Sequence, residues 1–237
     1  MGFMRLACTC EETCQCVWPP NASLYASSTC AHLRLLAGPF DQILKPQQQV
    51  RCWLYWLSVL LFLGGWLLVS DVVVGSSSRR FNFPIETSYR GISNSQKFLT
   101  KTAMNQLRTH LSFTQLRFFC RKQRTFHVIT TKNSAGEAVV QYFSGQTDTM
   151  PASCGSYVKM DDDDSFLAGL CSKWGWDGSA YYADKWGHLK DQDRLYTYPV
   201  FVAYLYHILI TPGNTRWECD DYNVGVSPGN FWKVFVR

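Results

Sequence analysis

A chain of 237 residues with 46% hydrophobic and 17% charged residues has room for one ordinary domain beside a membrane segment, and little more. The formal net charge of +5 is carried singly or in pairs through apolar sequence, without the long basic clusters that track phosphate, so no nucleic-acid partner is expected. Ten cysteines point to an oxidising compartment for at least part of the chain.

Residues 1–51 read as a mostly disordered tail, punctuated by Pro, Ser and Gln. Cys8, Cys10, Cys14 and Cys16 form a C-x-C-x3-C-x-C cluster that suits soft metal ions in a reducing compartment or S-acylation beside a membrane. The spacing differs from the usual C-x2-C zinc pattern and no His lies near, so no metal or other cofactor is assigned. Asn21-Ala22-Ser23 is a sequon, used only if this end is luminal.

Cys52 to Val69, CWLYWLSVLLFLGGWLLV, reaches roughly 27 Å as a helix, close to the ~30 Å hydrocarbon core of a bilayer. With Ser70 to Val74 as an extension, residues 52–74 read as a transmembrane signal anchor, with Trp53, Tyr55, Trp56 and Trp66 at the water interfaces. Flanking charges are tied, with Arg34, Lys45 and Arg51 on one side and Arg79, Arg80 and Arg90 on the other. The cysteines of the C-terminal part place that part outside, in a single-pass arrangement. The alternative is secretion after cleavage near Gly75, where Val72 and Gly75 are small enough for signal peptidase.

Residues 75–114 read as a stalk with a short amphipathic helix over Lys97–Leu111, where Phe98, Leu99, Met104, Leu107 and Leu111 recur at helical spacing. From residue 115 to residue 237 the texture is that of a disulfide-stapled β domain. QLRFFC, TFHVITT and EAVVQYFSG read as a meander, the last two joined by the turn KNSAG. Phe126, Val128 and Thr130 share one face of the second run. GSYVKM follows, and FWKVFVR alternates Phe231, Lys233, Phe235 and Arg237 with Trp232, Val234 and Val236. Pro199–Ile210 reads as a core strand, with a buried helix as the alternative, and His207 as a hydrogen-bonded core histidine. The fold class expected is mainly β: an antiparallel, sandwich-like extracellular domain with few short helices, preceded by one transmembrane helix.

The even set Cys120, Cys154, Cys171 and Cys219 predicts two disulfides, Cys154–Cys171 nested within Cys120–Cys219. The inner pair brackets Asp161–Asp164, which reads as a solvated acidic turn; calcium is the competing use, but four adjacent carboxylates cannot all face one ion. Beyond Cys171, Trp-Gly recurs at Trp174-Gly175 and Trp186-Gly187. Trp174, Trp176, Asp177, Tyr181, Tyr182 and Trp186 are the candidate ligand-binding residues: rings stack on a sugar face or fill a protein partner's pocket, and carboxylates take hydroxyls. The competing use is a small core. Glu218, Asp220, Asp221, His127 and His188 are residue types that do acid–base work, but no nucleophile elbow, HExxH, phosphate loop or dinucleotide fingerprint accompanies them, and no catalytic residue is assigned. The function expected is therefore recognition or adhesion outside the cell, with a glycan or protein as partner and no enzymatic activity. A purely structural domain or a secreted hydrolase are the alternatives.

Overall fold

The computed structural model describes residues 8–10, 14–16, 65–75, 83–94, 96–190, 193–196, 201–203, 206–211, 217–222 and 225–237. The chain divides into two units, 1–63 and 64–237. In the first, β1 (Cys8–Cys10) and β2 (Cys14–Cys16) make an antiparallel hairpin that sets Cys8 opposite Cys16 and Cys10 opposite Cys14. Regular backbone therefore occupies part of the expected tail; Asn21 lies outside the described residues.

The second unit contains β3 (Leu67–Val73), β4 (Ile85–Glu86), β5 (Phe98–Leu99), α1 (Lys101–Leu111), β6 (Leu116–Arg121), β7 (Thr125–Thr130), α2 (Ser134–Phe143), β8 (Tyr157–Lys159), β9 (Phe201–Ala203), β10 (Tyr206–Ile210), β11 (Trp217–Asp221) and β12 (Phe231–Val236). Its main sheet runs β3-β12-β6-β7-β8, antiparallel throughout; β11-β10-β9 form a smaller antiparallel sheet, and β4 pairs β5 in parallel. The domain is mainly β with antiparallel sheets, as the sequence predicted.

A helix over 52–74 is corrected in its second half, because Leu67–Val73 is a strand antiparallel to β12, with Val72 opposite Trp232 and Ser70 opposite Val234. The physical reason is the Val-rich end of the run, whose branched side chains fit a pleated surface. Val69, Val72 and Val74 enter the core, and Asp71 faces Lys233 at 3.5 Å on the other side. No helix among the described residues is long and apolar enough to cross a membrane; residues 52–64 lie outside them. Cleavage near Gly75 would strip an edge strand and its core valines from the sheet.

The expected stalk is also corrected where it is described. Phe83, Ile92, Phe98 and Leu99 are core residues, and Lys97 and Asp71 exchange backbone hydrogen bonds at 2.7 and 2.8 Å. The helix there begins at Lys101, capped by Thr100, whose hydroxyl accepts from the Ala103 amide at 3.2 Å; Ala103, Met104 and Leu107 form its buried face.

EAVVQYF, expected as a strand, lies in α2. Asn133 accepts from the Gly136 amide at 3.0 Å, so the residues read as a hairpin turn form an N-cap instead. Val139, Val140 and Phe143 then fall on one helical face and are fully buried. Gly136 packs against the Thr131 carbonyl, where an added Cβ would lie 2.0 Å from the oxygen. Pro199–Ile210 is likewise two strands and not one: β9 and β10 fold back antiparallel, with Tyr206 opposite Ala203.

The sheet's inner face carries Phe118, Cys120, Phe126, Val128, Trp232 and Val234, all buried. Phe118 meets Phe143 of α2 at 5.1 Å and Trp186 at 5.2 Å between ring centroids. A helix and a tryptophan-bearing loop thus cover this face, and a closed two-sheet sandwich is not what the structure shows. Both expected disulfides are present: Cys120–Cys219 joins β6 to β11 with Cα atoms 6.1 Å apart, and Cys154–Cys171 closes the inner loop at 5.0 Å. Each separation lies in the usual bridging range.

Candidate functional site

The segment from Trp174 to Lys190 is organised from the inside outward. Trp174 and Trp186 are both at 0% exposure, so neither is available to a ligand. Their rings meet edge to face at 5.2 Å, and Tyr157 stacks parallel on Trp174 at 4.8 Å. Each indole N–H is satisfied: Trp174 donates to the Leu167 carbonyl at 3.0 Å and Trp186 to the Ser156 hydroxyl at 2.7 Å. Tyr157 in turn donates to the Ala168 carbonyl at 2.6 Å, and burial pushes its phenol well above the usual range.

From these anchors the backbone turns outward through a run of left-handed conformations: Gly175, Gly178, Tyr182, Asp184 and Gly187 all have positive φ, between 54° and 101°. Gly175 is required outright, since a Cβ there would lie 2.3 Å from the Lys185 carbonyl oxygen. Tyr182 and Asp184 adopt this conformation with full side chains, which is the kind of local strain that a rigid surround has to hold. Asp184 supplies that hold. Its Oδ1 accepts from the Ser153 amide at 3.2 Å, the Ser153 hydroxyl at 2.7 Å and the Cys154 amide at 3.0 Å, fastening the loop beside the Cys154–Cys171 bridge.

What reaches the surface is aromatic. Tyr181 is 59% exposed, Tyr182 43% and Leu189 50%, with Trp176 half-buried among them. Trp176 lies 6.1 Å from Tyr181 and 4.5 Å from the His188 ring, and the Lys190 ammonium sits 5.4 Å from its centroid. His188 accepts at Nδ1 from the Lys190 amide at 3.2 Å; burial, and then the nearby Lys190 charge, hold it below the ordinary histidine range.

Asp177 is turned inward on its own loop. Its Oδ1 accepts from the Ala180 amide, the Ser179 amide and the Ser179 hydroxyl at 2.8 to 2.9 Å, and those bonds, the backbone ones first, bring its carboxyl down to about 2. Of the six residues singled out in the sequence, Trp176, Tyr181 and Tyr182 form the surface, Asp177 shapes it, and Trp174 and Trp186 support it from within. Leu189 and Lys190 complete it, with His188 buried against Trp176; the signal is the continuation of the second Trp-Gly into His-Leu-Lys.

The chain matches no known protein family, no curated protein and no solved structure.

The remaining polar residues are committed elsewhere. Glu218 meets His207 Nδ1 at 2.7 Å inside the small sheet, as expected of a core histidine. Asp220, with φ of 56°, accepts from the Phe166 and Leu167 amides at 3.0 and 2.7 Å, and burial nonetheless pushes its carboxyl up. Asp221 pairs with Lys122 at 2.8 Å.

The acidic run is not a freely solvated turn. Asp164 accepts from the Thr125 amide at 2.5 Å, Asp163 from the His127 amide at 2.6 Å, and Asp162 sits against the His127 ring, so the loop clasps β7. No group of side chains able to hold a metal ion occurs among the described residues.

Proposed function

We propose that residues 64–237 form a non-catalytic recognition domain of an oxidising compartment, binding a protein partner through Trp176, Tyr181, Tyr182 and Leu189. The observation that carries this reading is exposure: Tyr181 and Tyr182 stay on the surface beside a half-buried Trp176, in a loop whose two flanking indoles, Trp174 and Trp186, are fully buried. Exposed aromatic and aliphatic side chains on a stiff base are what interface hot spots are made of, because little conformational entropy remains to be lost on binding. A glycan would also need several polar groups aimed at its hydroxyls, whereas one oxygen of Asp177 and the Ser179 hydroxyl are already bonded to each other within the loop.

The two disulfides support an oxidising environment for the unit. In this reading the apolar residues 52–63 hold the domain at a membrane from that side, by insertion that need not extend across the bilayer.

The test uses the full chain, labelled and presented to arrays of extracellular proteins and of glycans. A protein spot whose signal weakens about thirtyfold for Tyr181→Ala, equivalent to about 2 kcal/mol, at unchanged melting temperature, is the expected result. Signal from glycans alone, or a protein signal indifferent to Trp176→Ala and Tyr181→Ala, would remove the proposal.

A further inference from the structure

The inner face of the main sheet is covered; its outer face carries a regular pattern at the centre. Along β6, Arg117, Phe119 and Arg121 point outward; along β12, Phe231, Lys233 and Phe235 do. The register sets Arg117 opposite Phe235, Phe119 opposite Lys233, and Arg121 opposite Phe231. Cations and rings therefore alternate along each strand and also across the pair.

The pattern is realised in contacts. The Arg117 guanidinium lies 5.0 Å from the Phe235 centroid and 5.5 Å from that of Phe119, and the Lys233 ammonium lies 5.5 Å from Phe231. Phe119 and Phe231 meet edge to face at 4.7 Å. Arg117 donates through Nε to His127 Nε2 at 2.6 Å; it makes no direct ion pair among the described residues, but the Asp162 carboxylate on the far side of that imidazole acts on its charge, and the Trp66 ring lies 5.9 Å from it. Arg121 is exposed and likewise outside any ion pair among them; Lys233 has Asp71 at 3.5 Å.

We propose that this face binds a linear anionic polysaccharide. Cations on one strand recur about 13 Å apart at alternate outward positions, with a ring between them, so a flat chain of sugar rings bearing acid groups at intervals meets a cation and a ring in turn. The planar fork of arginine matches sulfate or carboxylate oxygens; a phenyl ring offers a face to the apolar side of a pyranose, and although one face of Phe119 is stacked on His127 at 4.1 Å, Phe231 and Phe235 flank it on the neighbouring strand. A single small anion would engage one cation and leave the rest of the repeat unused. Single-stranded nucleic acid has comparable chemistry, but the two disulfides favour a compartment where acidic glycans are the available polyanions. The surface is distinct from the Trp176 cluster and does not rest on it.

The full chain, in non-ionic detergent, is applied to immobilised heparin and, in parallel, to a sulfopropyl matrix, single-stranded DNA and anionic phospholipid vesicles. Elution from heparin at clearly higher salt than from sulfopropyl is expected, with Arg121→Gln combined with Lys233→Gln weakening heparin affinity about tenfold. Phe235→Leu should weaken it with no change in charge, and Tyr181→Ala should leave it intact. Near-ultraviolet circular dichroism checks folding; if Phe235→Leu unfolds, Arg121→Gln alone decides, since that side chain is exposed. Equal salt elution from heparin and sulfopropyl, stronger retention by DNA or vesicles, or heparin affinity indifferent to Arg121→Gln would each overturn the proposal.

Discussion

Arg117 and Asp162 hold the two nitrogens of one imidazole: Arg117 Nε donates to His127 Nε2 at 2.6 Å, and Asp162 sits against Nδ1. That arrangement fixes a neutral ring with its proton on Nδ1. Phe119 stacks on it at 4.1 Å. Burial holds His127 below the ordinary histidine range; Asp162 pulls the other way and Arg117 pushes with the burial.

Acid sensitivity follows from that histidine. In the unfolded chain His127 takes up its proton near pH 6.5, while the folded site resists, so the unfolded state binds more protons as the pH falls. The stability it contributes is present above about pH 6.5 and is lost as pH falls through the lower folded value. His188 is displaced in the same direction. Urea midpoints measured from pH 7.5 down to pH 5 should decline, and His127→Gln should flatten the decline; a variant with an unaltered slope would show that other groups set it.

The two buried indoles give a stability prediction. Trp174→Ala and Trp186→Ala should each cost about 3 to 5 kcal/mol in denaturant titrations, since each empties a large part of one shared aromatic cluster. The double variant should cost less than the sum, because the rings pack on each other.

Glycine substitutions separate backbone strain from collision. Gly155 and Gly175 both have positive φ, 78° and 84°, but a Cβ at Gly155 meets nothing within 4 Å, whereas at Gly175 it meets the Lys185 carbonyl at 2.3 Å. Gly155→Ala should lose about 1 kcal/mol. Gly175→Ala should lose several times that in thermal melts and disturb the exposed tyrosines with it.

The disulfides should differ by loop length. Replacing Cys120 and Cys219, separated by 99 residues, should cost nearly 5 kcal/mol in the chain-entropy model, against about 3 for Cys154 and Cys171, separated by 17. Paired Cys→Ser variants and urea titration measure both.

How much of the fold is legible in the sequence depends on whether periodicity carries the signal. β6 and β12 alternate cleanly in burial, and the faces of β7 and β12 are readable from their sequences, although His127 on the outer face of β7 is buried as well. Leu67–Val73 is not readable, because an apolar run continuous with Cys52–Trp66 hides the point where hydrocarbon-like sequence becomes a strand; only Asp71 marked the exposed face. Asn133 was ambiguous for a chemical reason: the side chain that makes it a turn residue also makes it a helix cap. In the Trp-Gly segment, the rings were legible as a group, but a loop has no fixed period, so nothing in the sequence separated Trp174 and Trp186 from Trp176. Two bridges are legible from four cysteines, but three pairings are open to them, and the nested one is settled only by the fold that brings Cys120 of β6 to Cys219 of β11. The checkerboard needed register: the alternation is visible in RFFCR and in FWKVFV, but which cation faces which ring is a property of the paired strands.

β12 lies between β3 and β6, yet it is the last of the three to leave the ribosome. Until it arrives, β6 has a bare edge and β3 has no partner in this sheet, while β6 and β7 can already pair as a hairpin. Long-range pairings of this kind close slowly, and waiting edges invite contact with other chains. The nascent domain is therefore a candidate client for chaperones that shield strand edges, and its yield on refolding should depend on concentration far more than its final stability does.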